Sequence, residues 1–379
     1  MRRFALIPPI ILALACGGCT QGPAEVGAPP DAASPDKRPC SVVAVTYSDP
    51  GTRDESWSGG IKDFCLVAGD NGYHLFHITD PAVGWNTRDG ELTFGHATTS
   101  GFATWTTHDR IDLRTEADSW SPSFTWAPHV VFNDANSLYY MFYTGVKWNH
   151  GESMSRAQQR VGLAVSYDLF HWYRYDAEGR DGLVLDGPDH ERYPWSAFDT
   201  DGVDLPWEYD CRDPFVFDRG AEHAPLRYVM LNSIRLAPDA QQMAIAFATS
   251  PDLLHWEWLY HVPVTVGWMA ESASLVEHDG DFYLFWTDRT EMPSVRVACS
   301  TGGIFGDYEL VNGGQRLFGF AAETLALPDR LLYAAFDDSY MLHIKRELRL
   351  PASPGPEARV RLIDFTACDE DWPFRHASP

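Results

Sequence analysis

YDCRDPFVF, residues 209–217, places an acidic residue, Asp213, at the head of an apolar, β-prone run, and four other places in the chain repeat that design. Each is followed by an aromatic strand-like segment: YHLFHI at 73–78, YYMFYT at 139–144, RYVMLN at 227–232, FYLFWT at 282–287 and LYAAFD at 332–337. Counting back about one strand and a turn from each segment lands on Asp63, His129, Asp213, Glu271 and Glu323. A second unit follows the aromatic segment in four repeats: HATTSGFATW (96–105), LAVSYDLFHW (163–172), FATSPDLLHW (247–256) and VACSTGGIFG (297–306). Its alanines recur after 67, 84 and 50 residues, so two repeats carry long insertions. Self-similar units of several short strands at this period are the signature of a β-propeller. The fold expected is therefore all-β, a single-domain five-bladed β-propeller over residues 40–379, with SVVAVTY (41–47) completing the last blade. The first strand of each blade lines the central channel of such a ring. All five counted residues should then meet at one mouth.

The chain opens with a short basic stretch and FALIPPIILALA (4–15), apolar but too short to span a bilayer. It reads as a secretory signal over residues 1–16. LALAC resembles a bacterial lipoprotein signal with Cys16 as the lipidated residue and Cys19 as a second candidate. Residues 17–39, rich in Pro, Ala and Gly, bury too little apolar surface to order and form a flexible linker. The expected location is the bacterial cell envelope through a lipid anchor, or the medium, with no other contact to membrane. No room is expected for a β-sandwich after the propeller.

A net charge of −24 and a pI near 4.8 exclude a nucleic-acid partner, which demands a basic footprint. Neutral sugars are indifferent to that field, and 14 Trp with 16 Tyr offer them stacking faces. An oligo- or polysaccharide is the partner expected. Seven cysteines leave six once a lipid takes one, which suits an oxidising compartment. A bridge between Cys40 and Cys368 would fasten the ends of the ring. With no close Cys pair beyond Cys16 and Cys19 and no HExxH, no zinc signature is present. No cofactor is expected, and a cation on the propeller axis is left open.

The order of these motifs resembles the five-bladed furanosidase superfamily, above all the invertase and levanase group, glycoside hydrolase family 32. FGHATTSGFATW is similar to that group's W-G-H-A-x-S-x-D-L-x-x-W, CRDPFVF to F-R-D-P-K-V-F, FATSPDLLHW to S-x-D-L-x-x-W, and MAESASL to W-E-C-P-D-L. The resemblance spans about residues 57 to 290 and implies Asp63 as nucleophile, Asp213 as transition-state stabiliser and Glu271 as general acid/base. GIKDFCLVAGDNG replaces the group's W-M-N-D-P-N-G, which leaves the sugar unassigned. WAPH (126–129) is closer to family 43, where an acid usually stands at His129.

Glycosidic cleavage needs two carboxyls about the bond, one protonated and one ionised. Crowded like charges raise one another's pKa, so Glu271 is expected to hold the proton while Asp213 stays ionised. Arg212 would anchor Asp213 or a sugar hydroxyl. Trp126 and Trp268 either stack a sugar ring or belong to the core. His129 is a substrate ligand or a hydrogen-bonded channel histidine, Glu323 a ligand or a structural group, and His96 is placed near the rim by its motif. Three functions remain in play: a retaining hydrolase of a fructoside-like furanoside, a family 43-like inverting arabinofuranosidase or xylosidase, and a propeller that binds glycans without cleaving them.

Overall fold

A computed structural model of the chain describes residues 46–47 and 60–363, apart from 71, 80–89, 103, 150–151, 153–155, 177–178, 199–209, 238–241, 265–268, 290–293, 315, 328–329, 339, 341 and 352–358. The signal, the linker, Cys16, Cys40, Cys368 and Trp268 lie outside the described residues.

Five antiparallel sheets succeed one another along the chain. Blade one runs Lys62–Gly69, Gly72–Ile78, Phe94–Thr99 and Thr106–Thr107. Blade two is Phe124–Asn133, Leu138–Lys147 and Gln158–Ser166, edged by Tyr173–Arg174 and Leu183–Leu185. Blade three is Cys211–Asp218, Tyr228–Arg235, Met243–Ser250 and Glu257–Pro263. Blade four is Ala270–His278, Asp281–Asp288, Ser294–Ser300 and Glu309–Leu310. In blade five, Phe320–Leu327, Arg330–Phe336 and Leu342–Arg349 are joined by Arg361–Ile363 and by Thr46–Tyr47, which pairs with Leu342 and His343. The ring thus closes with a strand from the opposite end of the chain, as SVVAVTY led us to expect. The first strands pack side by side from blade one to blade five and back to blade one, around the axis.

The second strand of each blade is apolar on both faces because both are buried. Leu75 packs with Leu332 and Ala334 of blade five, while its neighbour Phe76 packs with Met141 and Tyr143 of blade two. The same alternation makes a separate core at every interface: Phe142 with Met230, Leu231 with Leu284, and Phe285 with Tyr333. The second repeated unit is a turn with a mechanical purpose. In blades two and three Ser166 and Ser250 accept from the N–H of Leu169 and Leu253, both at 2.9 Å, and those leucines sit at φ of 66° and 69°. Asp168 and Asp252 accept from the next backbone groups, and each motif's Trp packs on the core, Trp172 edge-on to Phe76 and Trp256 edge-on to Phe142.

Each first strand also carries an irregularity near its start, a β-bulge. The residue at its corner has positive φ in every blade: Asp63 (25°), Ala127 (46°), Asp213 (60°), Ser272 (50°) and Ala321 (46°). Non-glycine residues rarely adopt that region, and such strain gathers at functional sites. The bulge overturns one expectation, that Asp63, His129, Asp213, Glu271 and Glu323 hold equivalent positions. Glu271 lies one residue before its corner, and His129 and Glu323 lie two residues after theirs.

Candidate active site

The bulge re-aims three successive positions. Residues just before the corner, Lys62, Trp126, Arg212 and Glu271, line an open cup of about 140 Å³. The corner residues Asp63, Asp213 and Ser272 line both this cup and a narrower cavity of about 30 Å³ along the axis. Glu323 lines only the axial cavity.

Backbone groups at the corners are satisfied from the neighbouring blade. Asp213 donates its N–H to Thr144 Oγ1 at 2.9 Å, and Ala321 donates to Thr287 Oγ1 at 2.8 Å. Ser272 joins the two aspartates. Its N–H donates to Asp213 Oδ2 at 2.9 Å and its hydroxyl to Asp63 Oδ1 at 2.5 Å, a short charge-assisted contact. Glu271 accepts from Arg212 at 3.1 Å through Oε1 and from Arg289 at 3.1 Å through Oε2. Arg212 is itself held from behind: buried Asp210 takes it at 3.1 Å and Arg235 at 2.8 Å, and Gln159 donates to Asp210 at 3.1 Å. Lys62 pairs with buried Glu91 at 3.2 Å.

These contacts set the charges. Burial lifts Asp213 to about 7; Arg212 opposes the lift, and the negative charges of Asp63 and Glu271 add to it. Asp63 is likewise raised, by burial against the pull of Lys62 and the Ser272 hydroxyl. Burial alone would lift Glu271 as well, yet Arg212, Arg289 and Lys62 together outweigh it and hold the carboxyl below its ordinary value. In this geometry Asp213, and not Glu271 as expected, is the carboxyl that holds a proton more readily. The physical reason is the two guanidiniums, of which only Arg212 was legible beside the acid.

The structure brings Asp63, Asp213, Glu271, Arg212 and Trp126 together at the cup. His129 and Glu323 pair instead with each other, Nδ1 to Oε1 at 3.5 Å, farther along the channel. His96 is not in the cup. It is buried in blade one, stacked on Phe76 at 4.6 Å and bonded to His74 at 2.9 Å. Burial, then the His74 and His108 charges, push it down to about 3, so it is a neutral packing group. Lys62, Gln159, Asp210, Ser272 and Arg289 escaped the sequence reading. Lys62 stands to Asp63 as Arg212 stands to Asp213, a signal the adjacent Lys-Asp and Arg-Asp pairs already carried. Of the described cysteines, Cys65, Cys211 and Cys299 are buried free thiols.

The five-bladed propeller fold is shared with solved glycoside hydrolases of families 32 and 43. Among solved structures, the chain is similar to a family 32 β-fructofuranosidase of Bombyx mori, at 16% identity and TM-score 0.58, covering 86% of this chain and 66% of that enzyme. It is also similar to a thermostable family 43 glycoside hydrolase at 14% identity and TM-score 0.53, covering 83% and 96%. The family 43 protein BlXynB of Bacillus licheniformis matches at 12% identity and TM-score 0.51, covering 86% and 57%. No family model matches the chain, and no curated protein matches it.

Proposed function

We propose that this protein is a glycoside hydrolase that cleaves a furanoside through Asp63, Asp213 and Glu271. The observation that carries the reading is the junction at Ser272, which bonds Asp63 and Asp213 from one residue while the preceding residue is Glu271. Three carboxyls from blades one, three and four face one cup, and burial, with their mutual repulsion added to it, keeps a proton among them near neutral pH. That is the inventory cleavage requires: an ionised group for the anomeric carbon and a proton for the leaving oxygen. In the retaining form of the reaction, ionised Asp63 displaces the leaving oxygen from the anomeric carbon while that oxygen takes its proton through Glu271. Asp213 balances the oxocarbenium-like charge and hydrogen-bonds a ring hydroxyl, and water that gives its proton to Glu271 then releases the sugar from Asp63. For Glu271 to carry the proton, Arg289 must give up its contact. Arg289 is suited to that, with its side chain 43% exposed while Arg212 is 8% exposed.

One observation favours a second reading, a glycan-binding propeller without turnover: both oxygens of Glu271 are occupied by guanidiniums in the ionised form. A panel of chromogenic fructo-, arabino- and xylo-glycosides, with the anomer of the product followed by NMR, separates the readings. Turnover by the parent and a loss of about 10²–10⁴-fold in Glu271→Gln with sugar binding kept is the expected result. Binding without turnover of any glycoside by the parent supports the binder. Net inversion at the anomeric carbon would replace the retaining scheme with the family 43-like one.

A further inference from the structure

Two residues past the bulge corner, blades one, two and five present Cys65, His129 and Glu323, whose Sγ, ring nitrogen and carboxylate oxygen all lie within 4.8 Å of one another. The cluster lies beyond the three carboxyls of the cup, and the proposed hydrolysis makes no use of it. Its hydrogen bonds fix what each atom has to offer. His129 Nε2 faces the Val216 carbonyl at 3.1 Å, and a carbonyl only accepts, so Nε2 carries the hydrogen and donates. In the neutral ring Nδ1 is then a bare lone pair. It is buried, makes no hydrogen bond, and points at Glu323 Oε1 3.5 Å away, another acceptor. His129 as a whole is 8% exposed. The other oxygen of Glu323 accepts from Leu66 N–H at 3.2 Å. Cys65 Sγ accepts from Val130 N–H at 3.3 Å, and the side chain is 1% exposed. Among the described residues no Lys or Arg pairs with Glu323. The bare lone pair of His129 and the carboxylate of Glu323 therefore face each other, and the single hydrogen of the Cys65 thiol can meet only one of them, a costly arrangement in a buried place unless something positive sits there.

We propose that Cys65, His129 and Glu323 form a binding site for a borderline-soft divalent cation, Zn²⁺ by ligand type. Sulfur, imidazole and one carboxylate are the donors that select such an ion. A hard cation such as Ca²⁺ asks for about 6–8 oxygens, and the cluster supplies one carboxylate. The spacing fits as well. Bonds of about 2.0–2.3 Å at tetrahedral angles put ligand atoms roughly 3.3–3.8 Å apart. The Nδ1 to Oε1 distance of 3.5 Å already has that value, and the remaining separations need to close by no more than about 1.5 Å. Each ligand is also oriented from outside by a backbone group, Nε2–H by Val216 O, Oε2 by Leu66 N–H and Sγ by Val130 N–H. Such outer partners hold metal ligands in register. Because the three residues come from blades one, two and five, the ion ties together the part of the ring where the two ends of the chain meet.

The test strips the purified full-length protein with a chelator and restores either Zn²⁺ or Co²⁺. The expected result is one ion per chain by elemental analysis, a thiolate-to-cobalt charge-transfer band in the near ultraviolet, and a Tm that rises with Zn²⁺. Cys65→Ser should lose the band, and the isosteric Glu323→Gln should lose most of the Tm rise. Two outcomes overturn the proposal: a parent protein with no thiolate band, or an ion bound equally well by both variants. If neither variant folds, the band of the parent alone decides. Its absence would show that no metal is held there.

Discussion

Ser272→Ala removes one interaction and leaves its neighbours intact, which makes it the sharpest probe of the cup. The Ser272 hydroxyl donates to Asp63 Oδ1, whereas the contact to Asp213 comes from the backbone N–H and survives in alanine. The backbone tolerates the change, because Ala127 and Ala321 already occupy the same corner at φ of 46°. A hydrogen bond to a charged group contributes about 1.5–3 kcal/mol. At 1.36 kcal/mol per pKa unit, its loss moves the Asp63 pKa by about 1–2 units. The direction is upward: the hydroxyl is one of the groups pulling Asp63 down against burial, and only the ionised carboxylate benefits from it. If Asp63 must be ionised to attack, the acid limb of the kcat/KM profile moves up by that amount. On that limb the variant is about 10–100-fold slower than the parent, and on the plateau the two are equal. The assay is a pH series of kcat/KM on whichever chromogenic glycoside the parent turns over, with Tm as a check on folding. An acid limb that stays in place refutes the role given to Asp63, and a shift confined to the basic limb would make Asp63 the proton donor instead.

Arg289→Met takes one of two guanidiniums from Glu271, so the Glu271 pKa rises and the basic limb of kcat/KM moves to higher pH; an unmoved limb would mean that Glu271 is not the donor. Asp210→Ala leaves the buried Arg212 and Arg235 without the carboxylate they share, and breaking a buried ion pair from one side costs about 3–5 kcal/mol. Denaturant unfolding should show that loss with Asp63 still in place, while a change under about 1 kcal/mol would mean that the pair is screened by solvent.

The blades were legible in the sequence because each second strand is buried on both faces, which writes a nearly continuous aromatic run such as FYLFWT. The repeated Ser-x-Asp-Leu turn was legible because its side chains are needed to stabilise a leucine at positive φ. Asp63 and Asp213 were found as acids at a strand's start. What stayed hidden was the bulge. Its corner is held by Thr144 and Thr287 of adjacent blades, not by a glycine, so no local residue marks it. Counting residues back from the aromatic strand therefore mixed three depths of the channel, setting Glu271 level with His129 and Glu323. Asp210 lies two residues before Arg212, and Arg289 follows the strand that pairs with Glu271's own, so both contacts are local to a blade, but nothing in the residue types alone marks which partner each takes. His96 was misplaced because it lies on the third strand of blade one, packed on Phe76, and not on the first strand that lines the axis.

Five backbone corners of one kind, all at positive φ, surround one axis, and three of them carry polar side chains. Ala127 and Ala321 occupy the other two with a methyl group, on the same left-handed turn that Asp63 and Asp213 already accept. The ring is therefore a modular holder with two blank sockets. A carboxylate or amide written at 127 or 321 would enter the axial cavity that Asp63 and Asp213 also line, giving selection or an engineer a way to retune the charge around the two aspartates while the walls of the cup stay the same.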